Sequence, residues 1–127
     1  MKMNGTTILE IFDGDERIKD VTVYHLLHMK SGMVDYDDGV LRQWTWDNPD
    51  GDILPLDFLR MIDHHAWYCS PGDCADYSSI GYTLLGLVLA QHAGVSSWEE
   101  YDQMSIIPEE LRYKYNSTLF TGKGKCS

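Results

Sequence analysis

The strongest periodic signal lies in residues 79–94. Ile80, Leu84, Leu87, Val88 and Gln91 recur there at the spacing of one helical face, and Leu85 and Leu89 widen it. This pattern predicts a largely buried helix. Gly81 and Gly86 interrupt it, and because glycine lowers helix propensity, the structural reason to keep them is close approach by a neighbouring element. A shorter helix is expected within residues 20–32, capped by Thr22, with Val23, Leu26 and Leu27 on one side and Gly32 in the left-handed conformation that ends it. Pro55 opens another helix to about His65, burying Leu56, Leu59 and Met61 or Ile62. Ser97-Trp-Glu-Glu100 matches a capping box and predicts a short helix over residues 98–104. Across residues 34–52 the periodicity gives way to Gly, Asp, Asn and Pro. That stretch reads as a long loop, in which Trp44 and Trp46 need a place to bury. Only residues 7–12 suggest an alternating strand, so the expected class is mainly α.

At 127 residues the chain has the length of one domain with a single core. Ten Lys and Arg against twenty Asp and Glu leave a formal charge of −10, which repels phosphate backbones and anionic lipid surfaces, so neither a nucleic-acid nor a membrane partner is expected. The uncharged apolar run of residues 77–91 is too short to span a bilayer. Residues 1–18 carry Glu10, Asp13, Asp15 and Glu16 where a secretory signal needs an uninterrupted apolar core, so the chain is either cytosolic or without its leader. Cys69-Ser-Pro-Gly-Asp-Cys74 places two cysteines around a Pro-Gly turn, compatible with a small-loop disulfide or with free thiols, and Cys126 has no local partner. With the glycosylation acceptor patterns at Asn4 and Asn116, this leans towards an oxidising compartment.

Five histidines raise the question of a metal. His25 and His28 are three apart on a predicted helix, and Asp63-His64-His65 offers three donors. However, adjacent helical residues diverge by about 100° and cannot share one ion without distortion. Neither Cys-x-x-Cys nor His-x-x-x-His occurs, and the acidic run of residues 47–52 has its glycine in the wrong register for a calcium loop. Neither a metal nor another cofactor is expected.

Two longer stretches carry more information. Val21-Thr-Val-Tyr-His-Leu-Leu-His-Met-Lys-Ser-Gly-Met33 resembles the Ile-Thr-Val-x-His-Leu-Leu-x-His-x-Ser-Gly helix of the serine β-lactamase-like family, with Met29 where a second His is usual. That family includes class C β-lactamases, penicillin-binding D-alanyl-D-alanine peptidases and related esterases. Residues 70–86 resemble the same family's Pro-Gly-x-x-x-x-Tyr-Ser-Asn-x-Gly-Tyr-x-Leu-Leu-Gly segment through Pro71, Gly72, Tyr77, Ser78, Gly81, Tyr82, Leu84, Leu85 and Gly86. The likeness covers roughly residues 8–111. It implies the helical portion of a fold that joins α-helices to an antiparallel sheet, with acyl transfer from an amide, ester or lactam through an acyl-Ser. It also implies that Tyr77 is the general acid/base and that Ser79 stands in the place of a substrate-contacting Asn. Neither a Ser-x-x-Lys nor a Lys-Thr-Gly occurs in the 127 residues.

The chain therefore reads as a single partial domain over residues 1–127, with 112–127 a weakly structured tail. It would carry the Tyr wall of the cleft without the nucleophile and be inactive alone. A small-molecule or peptide substrate is expected only if the missing half is supplied. The other reading is a non-catalytic protein that uses the helical scaffold for binding. An incompletely covered long helix, with Leu84, Leu87 or Val88 short of cover, would favour self-association.

Overall fold

A computed structural model describes residues 2–3, 5–62 and 66–117, the first pair in backbone only. The N-terminal residues form a two-residue antiparallel pair, β1 (Lys2–Met3) with β2 (Thr6–Thr7), in register Lys2 with Thr7 and Met3 with Thr6. The other regular elements among the described residues are helical: α1 (Ile8–Ile11), α2 (Val23–Leu27), α3 (Asp38–Asp47), α4 (Pro55–Leu59) and α5 (Ser79–His92), with 3-10 turns at Glu16–Asp20, Gln103–Ile106 and Glu109–Tyr115. The chain is mainly α, as the pattern predicts.

Helix α5 is the axis of the packing. It buries Ile80, Gly81, Leu84, Leu87 and Ala90 and lies against both α2 and α4. Leu26 of α2, Leu56 and Leu59 of α4, and Ile11, Phe12 and Ile18 from the N-terminal segment complete the core around it. Leu84 and Leu87 are thus buried by the chain's own residues, which corrects the expectation that they are short of cover, whereas Val88 is only partly covered; Leu89 and Tyr82 are exposed on the same helix. The two helical glycines are contact points, as expected. A Cβ on Gly81 would touch Leu26, and one on Gly86 would press to 3.3 Å from the Trp98 ring.

Thr22 caps α2 by accepting from the His25 amide at 3.2 Å, while His25 Nδ1 accepts from the Thr22 amide at 3.4 Å. The helix ends earlier than Gly32. Met29 takes a left-handed φ of 55°, with Lys30 N–H bonded to His25 C=O and Met29 N–H to Leu26 C=O, a Schellman closure built on a methionine. Gly32 is also left-handed, but it lies beyond the helix end.

Several boundaries differ from expectation. The stretch read as a loop over residues 34–52 contains α3, none of whose side chains is fully buried and whose short apolar stripe of Val40, Leu41 and Trp44 is set among turn-forming residues. It is held locally: Asp37 accepts from the Gly39 and Val40 amides, Thr45 donates to Leu41 C=O, and Gln43 donates to Asp47. Trp44 is half-buried, whereas Trp46 is 81% exposed and finds no cover. Helix α4 stops at Leu59, where Arg60 and Met61 tighten into i−3 bonds. Of residues 7–12, expected as a strand, only Thr7 ends one; Ile8–Ile11 are helical, because Thr7 and Glu10 close a capping box. No helix forms over residues 98–104: Glu100 accepts from Ser96 N–H instead, Trp98 is drawn onto Gly86, and a 3-10 turn begins only at Gln103. Asn4, His64, His65, Cys126 and the tail of residues 121–127 lie outside the described residues.

Candidate functional site

A strap over residues 66–78 carries the chain to the head of α5. It is tied to the segment after α2 by an antiparallel bridge between Met33 and Trp67 and by amide bonds from Tyr68 to Gly32 C=O, Gly72 to Lys30 C=O and Asp76 to Met29 C=O. A Cβ on Gly32 would lie 2.2 Å from the Cys69 carbonyl oxygen, so close contact as well as its φ of 78° demands glycine there. Cys69 and Cys74 are disulfide-bonded, with Cα atoms 6.1 Å apart, which resolves the alternative between bridge and free thiols. Trp67 anchors the strap's start: its Nε1–H donates to Asp15 at 3.1 Å, and the Arg17 guanidinium lies 4.8 Å over its ring. The fork of hydrogen bonds from Arg17 holds the Asp15 carboxyl well below its ordinary value, from 3.8 down to about 2, with the Arg17 charge and Trp67 adding to the effect.

At the other end of the strap stand Tyr77, Ser78 and Ser79. Ser78 is fully buried, its hydroxyl 3.5 Å from Val34 C=O. The Ser79 amide donates to Asp35 Oδ1 at 3.0 Å, and the Ser79 hydroxyl lies 3.2 Å from both Asp35 Oδ2 and the Tyr77 hydroxyl. Because Ser79 has a single hydroxyl proton and a carboxylate only accepts, the chain runs from Tyr77 O–H to Ser79 O–H to Asp35. Tyr77 itself is 66% exposed. The structure therefore brings the two expected residues together and adds Asp35, which sequence reasoning missed. The Asp35 carboxylate also stands at the N-terminal end of α5, where Ser78 makes no side-chain cap bond, so it satisfies an otherwise orphaned amide and complements the helix dipole.

His25 and His28 have local roles. His25 closes the α2 capping box and faces Gly72 of the strap, while His28 Nδ1 pairs with Tyr24 C=O at 2.9 Å and its ring stacks on Tyr24 at 4.0 Å. Among the described residues no group of three His, Cys, Asp or Glu side chains is placed to hold a metal ion. No helix there is long and apolar enough to cross a membrane.

A family model described as β-lactamase matches residues 9–109. The chain belongs to the β-lactamase family. That span contains both the α2 motif and the Tyr77–Gly86 motif. Comparisons with curated proteins and with solved structures gave no match. In this β-lactamase-family chain the His-Leu-Leu helix and the strap form the support for Tyr77, with His25 against Gly72 and Lys30 and Met29 bonded to the strap's amides.

Proposed function

We propose that this chain supplies the tyrosine side of a β-lactamase-related acyl-transfer site, with Tyr77 as the general acid/base and Ser79 as a contact to substrate. The observation that carries the reading is the exposed Tyr77, whose hydroxyl lies 3.2 Å from that of Ser79 at the head of α5. A tyrosine accepts a proton near neutrality only where cations stabilise the phenolate. In the hydrogen-bonded chain described here the single Tyr77 proton is directed to Ser79 and on to the anion Asp35, so Tyr77 donates to a substrate only where the substrate takes the place of the Ser79 bond. With no Ser-x-x-Lys in the sequence, no serine has the lysine one helical turn away that would activate it, and the chain alone does not form an acyl-enzyme. Ser79 in place of an amide side chain shortens the substrate contact, and with its one proton given to Asp35 its oxygen meets a substrate as an acceptor.

Incubation with a fluorescent penicillin tests both parts. The expected result is no covalent adduct by intact-mass spectrometry, with weak reversible binding that shifts the NMR signals of Tyr77 and Ser79 and is reduced in Tyr77→Phe. Stoichiometric acylation of one serine overturns the lack of a nucleophile, and unperturbed signals at Tyr77 and Ser79 overturn the site assignment.

A further inference from the structure

On the flank of α5 away from the buried core, a cavity of about 1000 Å³ opens beside Ser79. One wall is the face of α5 that carries Tyr82, Thr83 and Gly86, and the opposite side is apolar, built from Leu41 of α3, Ile53, Leu54 and the start of α4. Trp98 closes one end, seated on Gly86. This volume is at the upper end of the range for small-molecule sites, and apolar walls with a few polar groups are their usual composition. Among the described residues its charged lining is Asp52 and Glu99, both exposed and neither in an ion pair, and none of the Lys, Arg or His side chains described lines it. The chain's net charge of −10 reinforces the local sign.

We propose that this cavity is a binding site for a small cationic amphiphile, an organic ammonium on an aromatic or aliphatic body. The body lies against Leu41, Ile53 and Trp98, and the ammonium sits at the mouth, between Asp52 and Glu99. The apolar walls supply affinity for the hydrocarbon, and the acidic mouth selects the amine over the corresponding acid. The site is distinct from the proton chain on Tyr77, although Ser79 borders both, so it stands or falls separately from the acyl-transfer reading.

Phenylbutylamine and phenylbutyrate, which share a hydrocarbon and differ in charge, are suitable probes. Titration of the whole chain is expected to give a saturable tryptophan fluorescence change with the amine that is lost in Trp98→Phe, at an affinity about fivefold or more above that of the acid, the scale of partly exposed ion pairs. Asp52→Asn with Glu99→Gln should remove the preference. Glu109→Gln with Glu110→Gln, on the exposed 3-10 turn outside the cavity, changes net charge equally and should leave it intact. Thr83→Phe, which fills the cavity, should abolish binding of both probes; circular dichroism verifies its fold, and Leu41→Trp serves the same purpose from the opposite wall. Equal affinity for the two probes, equal loss of preference in both charge pairs, no saturable binding, or binding that survives both filled variants overturns the proposal. Tyr77→Phe is expected to leave amine binding unchanged, which separates this result from any failure at the tyrosine site.

Discussion

A few side chains decide how the strap is held, and Asp15 is the most informative of them. It accepts the Arg17 side chain and amide and the Trp67 indole, so one carboxylate joins the N-terminal segment to the strap across 52 residues of sequence. Its depressed ionisation fixes the sign of a pH effect. The folded form holds its proton less tightly than the unfolded chain does. The contribution to stability is therefore fully present above the ordinary value of 3.8 and is lost as pH falls towards about 2. The pair is partly exposed and screened, so the effect is smaller than a buried bridge would give. Asp15→Asn is expected to flatten the acid limb of a stability profile between about pH 5 and 2 and to leave its slope above pH 6 unchanged. Urea denaturation across that range, followed by fluorescence, checks it, and an unaltered acid limb would remove Asp15 from its role.

At the level of elements, legibility follows the apolar face. Helix α5 reads from sequence almost to its ends because its buried residues recur at helical spacing, and α2 reads because Thr22 announces its start. Helix α3 does not, since its short apolar stripe of Val40, Leu41 and Trp44 is set among Gly, Asp, Asn and Pro and none of its side chains is fully buried, so the turn-forming composition around it outweighs the period. The same contrast holds at the site: Tyr77 and Ser79 lie in a contiguous motif, whereas Asp35 reaches Ser79 across 44 residues. The predicted Ser97 box failed because packing of Trp98 onto Gly86 overrode a local capping preference. The disulfide, left open by the sequence, closes the turn whose Gly72 and following Asp76 amides bond to the segment after α2. A short closed loop of this kind restricts the unfolded strap by about 2 kcal/mol, or roughly thirtyfold in local opening. Reduction, or Cys69→Ser with Cys74→Ser, should accelerate hydrogen exchange at Tyr68, Gly72 and Asp76 by that order while amides in the middle of α5 change far less. Equal acceleration throughout would show that the bridge stabilises the whole domain rather than the strap.

For the whole molecule, the placement of α5 makes global stability depend on one helix. It touches α2 and α4, carries five of the buried positions and presents Tyr77 and Ser79 at its head, so the axis of the core and the scaffold of the site are the same element. Leu87 lies at its centre with 1% exposure, whereas Leu27, on the outer side of α2, is 52% exposed. Truncating a buried leucine removes transfer free energy and leaves a cavity, together about 2–5 kcal/mol. A surface truncation stays within about 0.5 kcal/mol. Small domains have only about 5–15 kcal/mol to lose. Leu87→Ala is therefore expected to bring the chain close to its unfolding midpoint at 25 °C, broaden the Tyr77 and Ser79 NMR signals and lower the urea midpoint sharply, while Leu27→Ala leaves all three nearly unchanged. Comparable small effects from the two substitutions would mean that α2 and α4 hold the domain without α5, and that the head of α5 is positioned by the strap alone.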